Sequence, residues 1–497
     1  MRISVRCRFA LLALLGVMVT SPAMAGNPFH PSDFNVDDQV DVGDLLTLLG
    51  EWGPCSQCPT DLDGSGDVGT ADLSALLSDW GDHRWLALRQ PADSIAIHVA
   101  ANGNDANDGR TAMTPVRTLA RAHALIRDGR PDWILVRRGD VFTSGFGTWS
   151  RSGRSAAEPI VVGTYGASAA RPLVQAQLLR AYDSVAHVVF TGLAAAGTSA
   201  QDGVEWQALA DDITFEDIRL SGFNKNMVFN AAWQGGTMPV RNVKIVRCIL
   251  VDASPDDNSS GIYAWDADLS IYNSVFDRNG WNTGGSVHQH NLYLDGPRSR
   301  YRIVRSLLAR GGSDSIKLHA AGSSTAHEVS GCLFFGNPIA AGIGGRADSD
   351  PVGGITMSFR NNTVLEAADF GDGTGRGYGL VMSNIADGVV EGNVFAFNDV
   401  SLAPAILARS NLWGSEQAPI INLTIIGNEI AQWPGGMNVQ SGVVIIDNTL
   451  NAPTPPGLSP SMNLDPFRAR GKGTGFVVDG GRYATAAPNE SMWVRFD

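Results

Sequence analysis

From residue 213 onward the chain repeats a short pattern: an apolar residue, two further positions, a small or polar residue, one more position, and an apolar residue. Copies begin at Phe215, Ile245, Ile271, Ile303, Val329, Phe359, Val390, Ile425 and Ile445. Their spacing of 20 to 35 residues is irregular, as in a solenoid whose loops leave the wall at varying length. The fourth position of each copy is Ile218, Cys248, Ser274, Ser306, Cys332, Asn362, Asn393, Asn428 and Asn448. The run of Asn predicts an inward amide ladder, each side chain bonded to the coils above and below. A second strand precedes each motif strand, with copies at 261–265, 291–295, 315–319, 342–346 and 379–383. Strict alternation there sends Leu292, Leu294, Ile316 and Leu318 to the core and the polar residues between them to the outer face. A propeller would need four strands per repeat and a leucine-rich repeat its Leu-Asn signature, and neither pattern is present. The expected fold is all-β, a parallel β-helix of about ten coils.

Ile97 to Leu125 opens this domain with a strand, a Gly/Asn/Asp turn cluster, Pro115, and a helix whose apolar face includes Leu119, Ala122 and Leu125. A helix there shields core side chains and strand edges at the open end. This opening resembles the cap of secreted right-handed parallel β-helix proteins of the pectate lyase superfamily. The resemblance implies a right-handed solenoid over residues 95–497, with many relatives acting as polysaccharide lyases. The Pro/Gly-rich stretch from Ala452 to Pro466 and the segment to Asp497 are expected to cover the far end.

Residues 33–81 repeat at an offset of 28 positions, DFNVDDQVDVGDLLTLLGEWG followed by DLDGSGDVGTADLSALLSDWG. Oxygen ligands fall at loop positions 1, 3, 5, 9 and 12 as Asp33, Asn35, Asp37, Asp41 and Asp44, and again as Asp61, Asp63, Ser65 and Asp72. Such carboxylates repel unless a hard divalent cation bridges them, which points to Ca2+. Each loop leads into a short amphipathic helix, expected over 45–52 and 73–80. The repeat resembles the paired loops of type I dockerin modules, although Asp38 replaces the usual Gly at position 6 and Gly69 removes a ligand at position 9. The resemblance implies a small all-α calcium-binding module over 31–83 that attaches to a cohesin-like partner.

The formal charge of −13 changes meaning once divided. Residues 1–83 hold three Arg and twelve acidic residues, leaving −4 for the rest. Nothing in this balance suggests nucleic-acid binding, which wants a basic face. Gly 57 with 18% charged residues fits many tight turns. Residues 1–25 read as a signal peptide, with three Arg, an apolar run from Phe9 to Val19, and Ala23-Met24-Ala25 before Gly26. The protein is thus expected outside the cell or on its surface, and no later stretch is apolar enough to span a bilayer. Export favours a local disulfide between Cys55 and Cys58. Cys248 and Cys332 lie three coils apart, about 14 Å, too far to bridge.

The candidate chemistry lies in two outward columns of the second strand, Tyr263, Tyr293, Lys317, Gly344, Val381 and Trp265, Asp295, His319, Arg346, Ser383. Aromatic residues beside titratable ones suit a sugar-binding groove. Lys317, His319, Tyr293, Asp295 and Arg346 are the catalytic candidates, and Tyr263, Trp265, Asn291, His288 and His290 the substrate contacts. Elimination from a uronic-acid polysaccharide needs a cation against the carboxylate and a base for the adjacent proton. Lys317 or Arg346 can neutralise, and Tyr293, His319 or a deprotonated Lys317 can act as base. No acidic cluster on the wall supports catalytic calcium. Hydrolysis instead needs two carboxyls about 5.5 or 6.5–9.5 Å apart, with Asp295 and either Asp314 or Asp266 as the pair. A third reading is a non-catalytic adhesive or carbohydrate-binding scaffold.

Overall fold

The computed structural model describes residues 32–82, 88–452 and the strands at 475–478 and 481–484, except 33, 35–38, 56–57, 59, 63–64, 79, 89, 232–239, 256–257, 282–287, 320–325, 345–353, 368–376, 399–402, 410–419, 434, 440–442 and 447. The chain forms two compact units, residues 1–88 with Asp497 and residues 89–496.

In the first unit the 28-residue repeat is a repeat of structure. Helices span Val42–Gly50 and Thr70–Ser78, starting three residues earlier than the apolar pattern alone suggests. Asp41 is the reason in the first copy: it caps the helix, its Oδ1 accepting from Gly43 N at 2.6 Å. Asp44 accepts from Phe34 N (2.7 Å) and Asp41 N (3.0 Å), and Asp72 repeats this with Leu62 N and Gly69 N, both at 2.7 Å. Val40, Leu48, Val68 and Leu76 form a small core with the same offset. Cys55 and Cys58 are disulfide-bonded. Asp33, Asn35, Asp37 and Asp63 lie outside the described residues, as do residues 1–25.

The second unit is a parallel β-helix. Three parallel sheets of ten, thirteen and twelve strands run its length, each complete coil contributing one strand to each sheet. Alternation in the third sheet places Leu250, Phe276, Leu308, Phe334 and Val364 in the common core. Helix Leu119–Leu125, capped by Thr118, packs Leu119 and Ala122 against the first coils, with Leu125 partly buried beside them. Cys248 and Cys332 are buried free thiols.

The expected ladder runs along the corner between the second and third sheets. Cys248 N donates to Ser274 Oγ (3.1 Å) and Ser274 N to Ser306 Oγ (3.1 Å). Cys332 N, Asn362 N, Asn393 N and Asn428 N then donate in turn to the next coil's amide oxygen, Asn362, Asn393, Asn428 and Asn448, at 2.8–2.9 Å. The residue before each rung up to Asn428 turns the corner with positive φ, as at Arg247, Asn273, Arg305 and Asn361. The residues expected to cover the far end lie outside the description, apart from the strands Gly475–Val478 and Gly481–Ala484, which pair antiparallel.

Candidate functional site

The site is built on the ten-stranded sheet. Its strands Ser260–Trp265, His290–Asp295, Asp314–Leu318, Ile339–Ile343 and Tyr378–Met382 are in register, with Tyr263 beside Tyr293, Tyr293 beside Lys317, and Trp265 beside Asp295. Lys317 pairs with Gly342, and Gly342 with Val381. The alignment read from sequence therefore slips by two residues in one coil: Gly342, not Gly344, stands beside Lys317. Gly344 falls one step beyond Leu318, its N donating to Leu318 O at 2.9 Å. Arg346 lies outside the described residues.

Strict alternation also fails at the start of these strands, for a physical reason. A second amide ladder fills the corner here: Asn226 Nδ2 donates to Asn279 Oδ1 (2.9 Å), Asn279 Nδ2 to Asn291 Oδ1 (2.8 Å), and Asn291 Nδ2 to Ser315 Oγ (2.9 Å). Gly261 leaves room for it, since a Cβ there would lie 2.8 Å from Asn279 Nδ2. Asn291 is consequently fully buried and is not a surface contact for substrate. Leu292 and Ile316 also point inward, so two consecutive residues of each strand face the core. The residue before each pair, His290 or Asp314, turns under the outer face.

His290 is therefore buried beneath the wall rather than exposed on it. Its Nδ1 meets Asp314 O at 3.1 Å and its ring lies 5.2 Å from that of Tyr293. Burial disfavours the imidazolium and pulls its pKa down to about 4. Asp314 makes the equivalent move one coil on: its Oδ2 lies 2.9 Å from Lys317 Nζ, a charge–charge contact outside hydrogen-bond alignment. This pair is half of what sequence reasoning missed, and Gly342 is the other half. A Cβ on Gly342 would sit 2.7 Å from Asp314 Oδ2 and 3.7 Å from Lys317 Cδ. The legible signal was the repeated spacing, His290-x-x-Tyr293 and Asp314-x-x-Lys317.

On the outer face the rings of Tyr263 and Tyr293 lie 5.4 Å apart, and His319 stands edge-on to Tyr293 at 6.0 Å. His319 is anchored by its backbone N to Leu294 O at 2.9 Å. Burial, then the charge of Asp295, raises the Tyr263 phenol above its ordinary pKa. Tyr263, Trp265, Tyr293, Lys317 and His319 are partly exposed, the Lys317 side chain at 12%, and His288 is exposed in the preceding turn. Asp295 is nearly covered, its Oδ1 accepting from Gly296 N at 2.6 Å. Asp266 is buried and held by Arg298 through Nε (3.1 Å) and Nη2. Both carboxylates suggested as partners of Asp295 for hydrolysis are thus engaged, Asp314 with Lys317 and Asp266 with Arg298. Among the described residues no group of three His, Cys, Asp or Glu converges as a metal site.

No family model and no curated protein matches the chain. Among solved structures, a rhamnogalacturonan lyase is similar at 13% identity and TM-score 0.44, covering 72% of this chain and 87% of that one. A pectate lyase is similar at 15% identity and TM-score 0.44, covering 82% and 90%. A PL6 family polysaccharide lyase from Pseudopedobacter saltans is similar at 12% identity and TM-score 0.41, covering 75% and 94%. The parallel β-helix itself rests on the strand registers of this chain.

Proposed function

We propose that the second unit is a polysaccharide lyase that cleaves a uronic-acid polysaccharide by β-elimination at the Tyr293, Lys317 and His319 cluster. The observation that carries this reading is the Lys317–Asp314 contact at 2.9 Å on a wall that also presents aromatic rings. Held at 2.9 Å against a buried carboxylate, Lys317 is in this reading the neutralising cation and not the base. Set against the substrate carboxylate, that cation stabilises the charge that develops as the neighbouring C–H is broken. Near neutrality an imidazole is the group that exchanges protons while a phenol keeps its own. On that basis His319 takes the C5 proton, the C5–H electrons form the C4=C5 double bond, the C4–O bond breaks, and Tyr293 donates a proton to the departing oxygen. Tyr263 and Trp265 offer ring faces to neighbouring sugars.

The chain is read as exported, with the first unit as a dockerin-like tether to a cohesin-like partner. Its second loop supports the calcium reading. Asp61 Oδ1 and Oδ2 accept from Ser65 N (3.0 Å) and Gly66 N (2.9 Å), so the loop wraps that carboxylate, and Asp72 bonds both flanks of the same loop. Asp61, Ser65 and Asp72 are the described residues of this loop that would hold Ca2+, through oxygen atoms alone.

Mass spectrometry of products from a panel of acidic polysaccharides separates the chemistries. Elimination gives fragments lighter by one water than hydrolysis does. Unsaturated fragments are the expected result; hydrated fragments would replace the lyase with a hydrolase, and intact polymer would leave a scaffold.

A further inference from the structure

Resting on that reading of the site, we propose that Asp314 is a positioning residue: it fixes the Lys317 ammonium over the floor left open by Gly342, where it receives a carboxylate of an acidic sugar. Four observations converge on this. Asp314 is 2% exposed, and its carboxylate meets Lys317 Nζ at 2.9 Å. Its carbonyl meets His290 Nδ1 at 3.1 Å, and the His290 ring lies against Tyr293. One residue thus ties together the supports of two outer-face side chains. The ladder rung Ser315 is what turns Asp314 outward, so its placement is set by the corner and not by a flexible loop. Finally, Gly342 is the neighbour of Lys317 in the next coil, and any side chain there would strike the Asp314 carboxylate at 2.7 Å.

The physical need is clear from lysine's character. Its charge sits on a four-carbon stem with many rotamers, so a free lysine loses freedom whenever it grips a ligand. A buried carboxylate that has already fixed the stem removes that loss at the moment of binding. Asp314 meets the Lys317 ammonium from the buried side, at 2.9 Å. The pair is neutral as a whole, so the site attracts a carboxylate by short-range contact and not by a broad positive field.

The test is a double-mutant cycle in the full chain with Asp314→Asn, Lys317→Met and the double variant, read by kcat/KM on the acidic polysaccharide it cleaves. Melting curves check folding. We expect Asp314→Asn to lower kcat/KM about 100-fold, as a misplaced group does, and to add less than about threefold in the Lys317→Met background. Losses that multiply in the double variant, or an unchanged Asp314→Asn, would overturn the proposal. Should Asp314→Asn fail to fold, Gly342→Ala keeps both charges and displaces only the carboxylate. It is expected to impair the chain with Lys317 present and not in the Lys317→Met background, and equal losses in both would refute the assignment. If the wild type eliminates nothing, the same cycle is read by calorimetric binding of oligogalacturonate, oligoalginate and oligoglucuronate. A non-additive loss of binding then rejects the lyase while sustaining the Asp314 assignment. Absence of any binding that Lys317→Met weakens rejects both.

Discussion

Lys317 and Asp314 are three residues apart in one strand, a spacing that ordinary alternation would send to opposite faces, yet they meet because Ser315 and Ile316 both turn inward. The same turn buries His290, with a pH consequence. Its folded pKa of about 4 is depressed below the ordinary value of about 6.5, so the unfolded chain takes up this proton first as pH falls. The associated stability, about 3 kcal/mol, is complete above about pH 6.5 and is lost as pH falls toward 4. Asp314, Lys317 and His288 are the titratable groups that act on it. His123, buried against Trp149, is likewise drawn to about 4 and adds in the same direction. Melting temperatures measured across this range should decline, and His290→Gln should flatten the decline; an unaltered slope in that variant would contradict the assignment. At this scale the sequence made Tyr263, Tyr293, Lys317 and His319 legible, because long polar side chains in an alternating strand announce an outer face. Asn291 and His290 were misread, since alternation carries no information about a corner that breaks it.

At the scale of elements, the ladders hold the corners that the sheets share. Asn393 Oδ1 accepts from Asn362 N (2.8 Å) and Asn362 Nδ2 (3.1 Å), while its Nδ2 donates to Phe359 O (2.9 Å) and Asn428 Oδ1 (2.8 Å). Asn393→Ala would strand buried partners on two coils and should cost about 2–4 kcal/mol in urea unfolding. Asn448→Ala, at the less buried end of the ladder, should cost less than half of that. Equal costs would mean that the rungs act by side-chain volume rather than by hydrogen bonding. This first ladder was readable because its rungs occupy one fixed place in a repeated motif. The second was not, since Asn226, Asn279, Asn291 and Ser315 follow one another at separations of 53, 12 and 24 residues. Strand registers had the same limit: the connection shortens from four residues, 310–313, to the single residue Pro338 before Ile339–Ile343, which the sequence does not announce, and so the column slipped by two at Gly342.

For the whole molecule, the division into two units follows the charge division along the chain, with most of the net negative charge in the first. Removing calcium with a chelator should lower the melting transition of the first unit and leave elimination by the second unchanged. Asp72→Ala should weaken calcium binding in a calorimetric titration of the full chain, and an unaltered isotherm would remove Asp72 from the ligand set. The central claim, however, is the chemistry of the outer wall. Its most direct test is ultraviolet absorbance of the conjugated C4=C5 product when the full chain is mixed with each of a panel of uronic-acid polysaccharides, alongside Lys317→Ala and His319→Ala. The account predicts a steady rise with one class of polymer, reduced at least about 100-fold in either variant. A rise that survives both substitutions would place the chemistry elsewhere on the chain, and no rise with any polymer would contradict the lyase.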